Sequence, residues 1–491
     1  MPILYRQVKS LFHHKPSWVV FASGAILPLS FAPFNFLPIA CLSYYVFWTH
    51  IMRAKTWRNA FVTGWLFGFG QFVFGLYWIS NAVLVEADTF WWLVPFALLG
   101  LPACLAIFIA LPSALWFGLR EKIGPNRYLL NAVCLAGLLA LGEFARGTVL
   151  TGFPWNNIAM TWGGWLWLSQ NIVWSGFYGL SFVVLLWLIA PASLWAQGRR
   201  MQAISLSSGV LLIAISFGVW RIEAEPEITK GPRVAIVQPH VEQDRKLRQQ
   251  DRQDILQELL SLTAQAVQAK ADYIIWPETA VPYLIDEDPN FGRLLDGIMP
   301  DASVLITGAI RRQKTIEAIG DAAPLYDYYN SAQLWSGVGS LRDVSDKKHL
   351  VPFGEYLPFQ EYLERFGFQQ LTRQRGGFTP GTKESVLASD TGIKFMPLIC
   401  YEAIFPLNNE ASSKIDVLLN LTNDAWFGIS VGPYQHLAQA RLRAIEAKRP
   451  LIRAANTGVS IVFDHMGREL DRMGLGQKGI LIVTLPLAKH E

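Results

Sequence analysis

The chain has 491 residues, of which 52% are hydrophobic and only 16% charged, against about 25% charged in an ordinary soluble protein. A single soluble globular domain is excluded. Residues 1–220 hold 12 Lys/Arg and 4 Asp/Glu, whereas 221–491 hold 30 and 34. The net charge of +4 thus combines an apolar, basic half with a slightly acidic one, and gives no support to nucleic-acid binding. This pattern reads as a membrane domain over 1–220 followed by a water-soluble domain over 221–491.

A bilayer core needs about 20 apolar residues as helix, because lipid offers no partner for backbone polar groups. Seven stretches approach that length: Trp18 to Ala32, Phe36 to Met52, Phe61 to Ser80, Phe90 to Leu119, Tyr128 to Ala145, Trp165 to Ala196 and Ala203 to Trp220. The first two are short and carry Pro28, Pro33 and Pro38, which predicts a tight hairpin with kinked ends. Lys and Arg stay on the cytoplasmic side of a membrane. Arg6, Lys9, Lys15, Arg53, Lys55, Arg58, Arg120, Lys122, Arg127, Arg199 and Arg200 fall in alternate connections, whereas the others carry Arg146 alone among cations. This asymmetry places the N-terminus in the cytoplasm and, after seven spans, the soluble half outside it. No small-residue cleavage pattern follows the first apolar run, which reads as a retained anchor.

Trp78, Trp91, Trp92, Trp155, Trp162, Trp165 and Trp167 crowd the outer span ends. They fit an interfacial aromatic belt, or, with the Gly152-Phe153-Pro154-Trp155 turn, a lipid entry port. Glu143, three residues before Arg146, fits a helix-surface pair or a substrate contact.

From Pro232 onward short β-branched runs alternate with helical segments. Arg233 to Gln238, Tyr273 to Trp276, Val304 to Ile310, Phe395 to Tyr401, Val417 to Leu421, Leu451 to Ala455 and Ile461 to Asp464 read as strands, mostly buried on both faces. Asp254 to Lys270 and Gln435 to Lys448 read as amphipathic helices, so the half is a layered α/β domain. Three strand or loop ends carry chemistry: Trp276-Pro277-Glu278-Thr279, a glutamate on a rigid mount; Lys347-Lys348-His349 leading to Glu355; and Cys400-Tyr401-Glu402, a strand delivering a thiol. Cys41, Cys104 and Cys134 lie in apolar runs, so Cys400 has no cysteine in the soluble half to pair with. Each residue alone fits a packed or solvated position. Together they meet what acyl transfer through a thiol requires, a base for its proton and a cation for the developing oxyanion. No Cys or His cluster suggests a metal site and no glycine-rich phosphate loop is present.

These three segments resemble the Glu-Lys-Cys signatures of the nitrilase (carbon-nitrogen hydrolase) superfamily. The multi-span first half, the Gly152-Phe153-Pro154-Trp155 turn and Asn423-Asp424-Ala425-Trp426-Phe427-Gly428 narrow the resemblance to the apolipoprotein N-acyltransferase family, over nearly the whole chain. It implies a multi-span α-helical membrane domain plus an α/β nitrilase-like αββα sandwich. It carries the triad onto Glu278, Lys347 and Cys400, with Lys347 preferred to Lys348 because it stands two residues before His349. Glu355 and Glu402 take the places of supporting carboxylates that orient Lys347 or the incoming amine. Trp155 and Tyr401 are the substrate-binding candidates, Tyr401 equally a packing residue. His240 stands where an asparagine is usual and Leu247 where a tryptophan is common, which bears on lid contacts rather than the triad. The family usually adds a final span, but Gly479 to Pro486 is too short and reads as a closing strand.

The implied reaction has two halves. Glu278 takes the Cys400 proton, the thiolate attacks a phospholipid ester, expected to be that of phosphatidylethanolamine, and Lys347 stabilises the oxyanion. The α-amine of a diacylated apolipoprotein then takes the acyl chain from the thioester. The expected partners are therefore the membrane, a phospholipid donor and a diacylated apolipoprotein acceptor, with no cofactor or metal. The expected location is a bacterial inner membrane with the catalytic domain in the periplasm. A membrane-anchored amidase transferring the acyl group to water, and a non-catalytic lipoprotein-binding scaffold, are the alternatives.

Overall fold

Helices make up the first part of the chain and strands the second in the computed structural model, which describes residues 16–224, 228–316, 325–363, 365, 377–382 and 386–488. Arg6, Lys9 and Lys15, part of the cation count, lie outside the described residues. The sequence suggests one boundary at 220. By its internal contacts the structure divides into a unit comprising Met1–Glu225 with Ile429–Gln439 and a unit comprising Pro226–Gly428 with Ala440–Glu491.

In the first unit all seven apolar stretches are largely helical. Among the described residues four helices are long and apolar enough to cross a membrane, namely Ala87–Ile123, Tyr128–Arg146, Ile172–Ala196 and Arg200–Glu223; Trp18–Ser30 and Leu37–Ile51 are shorter apolar helices. Phe61 to Ser80 maps mainly onto the helix Trp57–Gly75, whose start is capped by the Thr56 hydroxyl accepting from the Asn59 amide at 3.2 Å. The path Ala87–Ile123 is broken into shorter pieces, with a π-turn at Phe96–Gly100 and Pro112 inside Ile107–Ile123, because each proline removes a backbone donor. Close helix contact rests on small residues: a Cβ at Gly24 would stand 2.0 Å from the Phe67 carbonyl oxygen, and one at Gly70 would stand 2.3 Å from that of Phe21. Leu141, Leu212 and Ile213 point outward, as a lipid-facing surface requires.

Glu143 is not on a helix surface. It is buried, paired with Arg146, and accepts from Asn157 Nδ2 at 3.0 Å. Arg146 also donates to the carbonyls of Phe153 and, at 2.8 Å, of Trp155. The pair therefore holds the Gly152–Trp155 turn from inside, because a buried ion pair needs its remaining donors satisfied.

The second unit contains two six-stranded sheets. The first is built from β1 (Ile228–Gln238), β2 (Tyr273–Ile275), β3 (Val304–Ile316), β4 (Leu325–Ser336), β5 (Leu341–Asp346) and β12 (Gly479–Ala488). The second contains β6 (Leu387–Ala388), β7 (Lys394–Ile399), β8 (Val417–Thr422), β9 (Leu451–Ala455), β10 (Ser460–Phe463) and β11 (Glu469–Met473). Their orders are β12-β1-β2-β3-β4-β5 and β11-β10-β9-β8-β7-β6. In each sheet three strands run parallel, β1-β2-β3 and β7-β8-β9, and the flanking pairs are antiparallel.

Strand periodicity explains the packing. Val234 and Ile236 face the core shared with Leu419, Leu421 and Ile452 of the other sheet, whereas Ala235 and Val237 face Ile255, Leu259 and Leu262 of the helix Arg252–Gln268. Both faces are covered, so this strand has to be apolar throughout. The end of the helix Gly432–Ala447 buries Leu442, Ala444 and Ile445, and the two sheets with their helices give the layered nitrilase-like architecture. The apolar Gly479–Pro486 run lies in β12, paired antiparallel with β1.

Candidate active site

Strand ends carry the residues that the sequence singles out: β2 runs into Trp276-Pro277-Glu278, β5 into Lys347 and β7 into Cys400, and β8 leads into Asn423. Loops beyond the carboxyl ends of parallel strands are where layered α/β folds collect their chemistry.

Cys400 stands at a corner. Ile399 is extended, Cys400 has φ 50°, and a tight turn follows over Cys400–Ile404. A non-glycine residue held in the left-handed region is strained and persists only where its surroundings impose it. Burial pushes the thiol well above the usual cysteine range, the Glu278 charge pushes it further, and Lys347 and the Thr422 hydroxyl pull back. The resting sulfur is thus a thiol, and reaction requires a base.

Glu278 and Lys347 are buried beside it. Lys347 Nζ stands 3.6 Å from Glu278 Oε1 and 2.9 Å from the Glu355 carboxylate. Burial alone would lower its ammonium pKa, but Glu355 and Glu278 outweigh burial and hold it above the usual lysine range. Glu355 also accepts the Val351 amide at 2.8 Å. Lys348 is exposed, and its backbone rather than its side chain is engaged at the site.

Glu402 braces the site. Its carboxylate accepts the amides of Lys348 at 2.8 Å, His349 at 3.1 Å and Ile399 at 2.8 Å, tying the lysine-bearing segment to the strand that delivers Cys400. Burial raises its pKa against the pull of these donors and of Lys347. Both of its oxygens are engaged by these amides. Tyr401 is buried against Phe405, ring centroids 5.1 Å apart, and near His349 at 6.2 Å.

Trp155 lies in the first unit and is 1% exposed. Its indole N–H donates to Gln435 Oε1 at 2.8 Å, the same oxygen takes the Trp78 indole at 3.2 Å, and the two rings lie tilted by 46° with centroids 4.7 Å apart. The ring is thus enclosed by Trp78 and Gln435.

Two residues escaped the sequence reading. Asn330, on β4, donates from Nδ2 to Glu278 Oε1 at 2.8 Å and to Glu355 Oε1 at 2.9 Å. Asn423 donates its amide to Glu278 Oε2 at 3.0 Å. Asn423 lies in a quoted signature that carried no role, whereas nothing in the alternating polar and aromatic β4 marks Asn330. Further in, the wholly buried Arg453 pairs with Asp424 at 2.6 Å, and Asp424 accepts the Thr422 hydroxyl at 3.1 Å. Among the described residues no three His, Cys, Asp or Glu side chains are grouped to hold a metal.

A strained thiol beside a carboxylate and an ammonium, on paired α/β sheets, defines a carbon–nitrogen hydrolase-type domain, here joined to a helical membrane domain. The family model described as carbon-nitrogen hydrolase matches residues 233–491, and that described as apolipoprotein N-acyltransferase N-terminal domain matches residues 23–190. Curated relatives named apolipoprotein N-acyltransferase include that of Rhodopseudomonas palustris, 39% identical over 96% of this chain and 90% of its own. That of Bradyrhizobium diazoefficiens is 39% identical with the same coverages, and that of Brucella melitensis is 38% identical over 95% and 89%. A solved amidase from Nesterenkonia sp. is 21% identical, covers 53% of this chain and 92% of its own, and has a TM-score of 0.37. The chain belongs to the apolipoprotein N-acyltransferase family.

Proposed function

We propose that this protein is an N-acyltransferase that moves a fatty acyl chain from a phospholipid, through a thioester on Cys400, to the N-terminal amine of a diacylglyceryl-modified apolipoprotein. Residues 1–220 form its membrane domain with about seven spans, and the remainder forms the catalytic domain. The observation that carries the reading is the raised, buried thiol of Cys400 beside the Glu278–Lys347–Glu355 cluster in a chain whose helices are membrane-spanning in length and composition.

Glu278 accepts the thiol proton and the thiolate attacks the ester carbonyl. The new C–S bond forms, the C–O bond breaks, and the proton passes from Glu278 to the departing lysophospholipid oxygen. Lys347, fixed by Glu355, stabilises the tetrahedral oxyanion. In the second half the acceptor amine attacks the thioester, loses a proton to Glu278, and the amide forms as Cys400 regains its proton. The donor is phosphatidylethanolamine. The catalytic domain faces the periplasm from the inner membrane, an orientation supported by the alternation of cationic connections.

The test is incubation of purified protein with acyl-labelled phosphatidylethanolamine and a diacylated lipopeptide. Label on the lipopeptide supports transfer; label released only as free fatty acid would make the protein a hydrolase. A periplasm-specific reporter fused after Glu491 should be active, and activity of a cytoplasm-specific reporter instead would overturn the orientation.

A further inference from the structure

Lysine is almost never fully buried unless paired. Lys246, on the short turn of helix Gln243–Leu247, is 6% exposed, and among the described residues no carboxylate lies within ion-pair distance of it. Its Nζ instead donates to two consecutive backbone carbonyls, Glu278 at 3.3 Å and Thr279 at 3.1 Å.

That turn needs holding. Thr279 is β-branched and has φ 43°, a conformation such residues rarely adopt. On one side β3 grips it: the Gly308 amide donates to Pro277 O at 3.2 Å, Ala280 donates to Gly308 O at 3.0 Å, and a Cβ at Gly308 would stand 2.5 Å from Glu278 Cα. Lys246 supplies a second grip. The same short segment reaches the carboxylate by another route, since Gln243 Oε1 accepts Asn423 Nδ2 at 2.7 Å and the Asn423 amide donates to Glu278 Oε2 at 3.0 Å. Burial lowers the Lys246 ammonium pKa to about 8, against the opposing charge of Glu278. A buried cation retained at such a position serves the site rather than the core.

We propose that Lys246 is a positioning residue for the acyl transfer, locking the Glu278–Thr279 turn so that the base keeps its carboxylate between Lys347, Asn330 and the Asn423 amide. This rests on Glu278 being the base. A shift of the carboxylate by an ångström is enough to cost about 10²-fold in rate.

The experiment uses the full chain in lipid nanodiscs and follows acylation of Cys400 by labelled phospholipid, with binding of an ether-linked, non-reactive phospholipid and thermal unfolding measured in parallel. Lys246→Met should slow thioester formation roughly 10- to 100-fold and leave ether-lipid affinity within about twofold, whereas Lys246→Arg, which keeps N–H donors and charge, should recover most of the rate. A Lys246→Met protein that acylates at the wild-type rate, or one whose rate falls only in step with its folded fraction, would overturn the proposal. Should Lys246→Met fail to fold, Lys246→Gln and Lys246→Arg decide it: Arg outpacing Gln at equal ether-lipid affinity upholds the proposal, and equal rates overturn it. Absence of thioester in the wild-type protein would instead refute the reading of Cys400 and its base.

Discussion

Replacing Lys347 by methionine separates the two duties that the geometry gives this cation. Lys347 is 1% exposed and stands 2.9 Å from Glu355 and 3.6 Å from Glu278. Its removal leaves two buried carboxylates facing one another without a counter-charge, and breaking a buried pair by deleting one partner costs about 3–5 kcal/mol. At about 2–4 °C per kcal/mol for a domain of this size, Lys347→Met should lower the melting temperature of the catalytic domain by roughly 6–20 °C. It should also slow Cys400 acylation by about 10²- to 10³-fold through loss of oxyanion stabilisation. Neutralising the second carboxylate tests which duty matters for the chemistry. In Lys347→Met/Glu355→Gln one of the two uncompensated charges is gone, and with it their mutual repulsion, so part of the stability should return, but acylation should not. Differential scanning calorimetry and the labelled-phospholipid assay report the two quantities independently. Acylation recovering along with stability would refute the oxyanion role and leave Lys347 a structural residue.

Three further outcomes follow from the same geometry. Glu278→Gln should abolish phospholipid acylation yet speed alkylation of Cys400 by iodoacetamide at pH 8, because after burial the Glu278 charge is what holds the thiol up; unchanged or slower alkylation would contradict that coupling. The Lys246 ammonium, lowered from 10.5 to about 8 in the folded protein, binds its proton less tightly folded than unfolded, so stability rises with pH across that window. Relative to Lys246→Met, the wild-type protein should gain roughly 3 kcal/mol between pH 7 and pH 10, measured by equilibrium denaturation. Glu402→Gln replaces one acceptor oxygen with a donor where three backbone amides converge; it should cost about 1–3 kcal/mol and reduce acylation, and an unaltered melting temperature would show that the brace is not structural.

The helical half and the strand-end positions of Glu278, Lys347 and Cys400 were legible because they obey strong local rules. An apolar stretch near spanning length has few alternatives to helix, and Glu278, Lys347 and Cys400 each follow a strand and precede a turn. What stayed hidden depends on tertiary neighbours. β4 and β5 alternate polar, charged and aromatic residues near a sheet edge, so no apolar run announced them, and Asn330 went with them. β11, Glu469–Met473, is an exposed, charged edge strand, the kind of edge that charge protects from mispairing. Lys246 reads as an ordinary solvated lysine until the Glu278–Thr279 carbonyls are seen to meet it. Spacing left Glu143 as a helix-surface pair or a substrate contact and Trp155 as an interfacial or substrate-binding ring, and it gave no sign that Asn157, the Phe153 and Trp155 carbonyls and Gln435 enclose them.

The central claim, that an acyl group passes through Cys400, is tested most directly by mass spectrometry of the protein after incubation with a phospholipid of defined acyl chain. The account predicts one added acyl group per protein, mapped to the peptide bearing Cys400, released by hydroxylamine, and transferred to a diacylated lipopeptide on chase. Lipopeptide acylation by Cys400→Ala protein, or an acyl group stable to hydroxylamine on another residue, would contradict it.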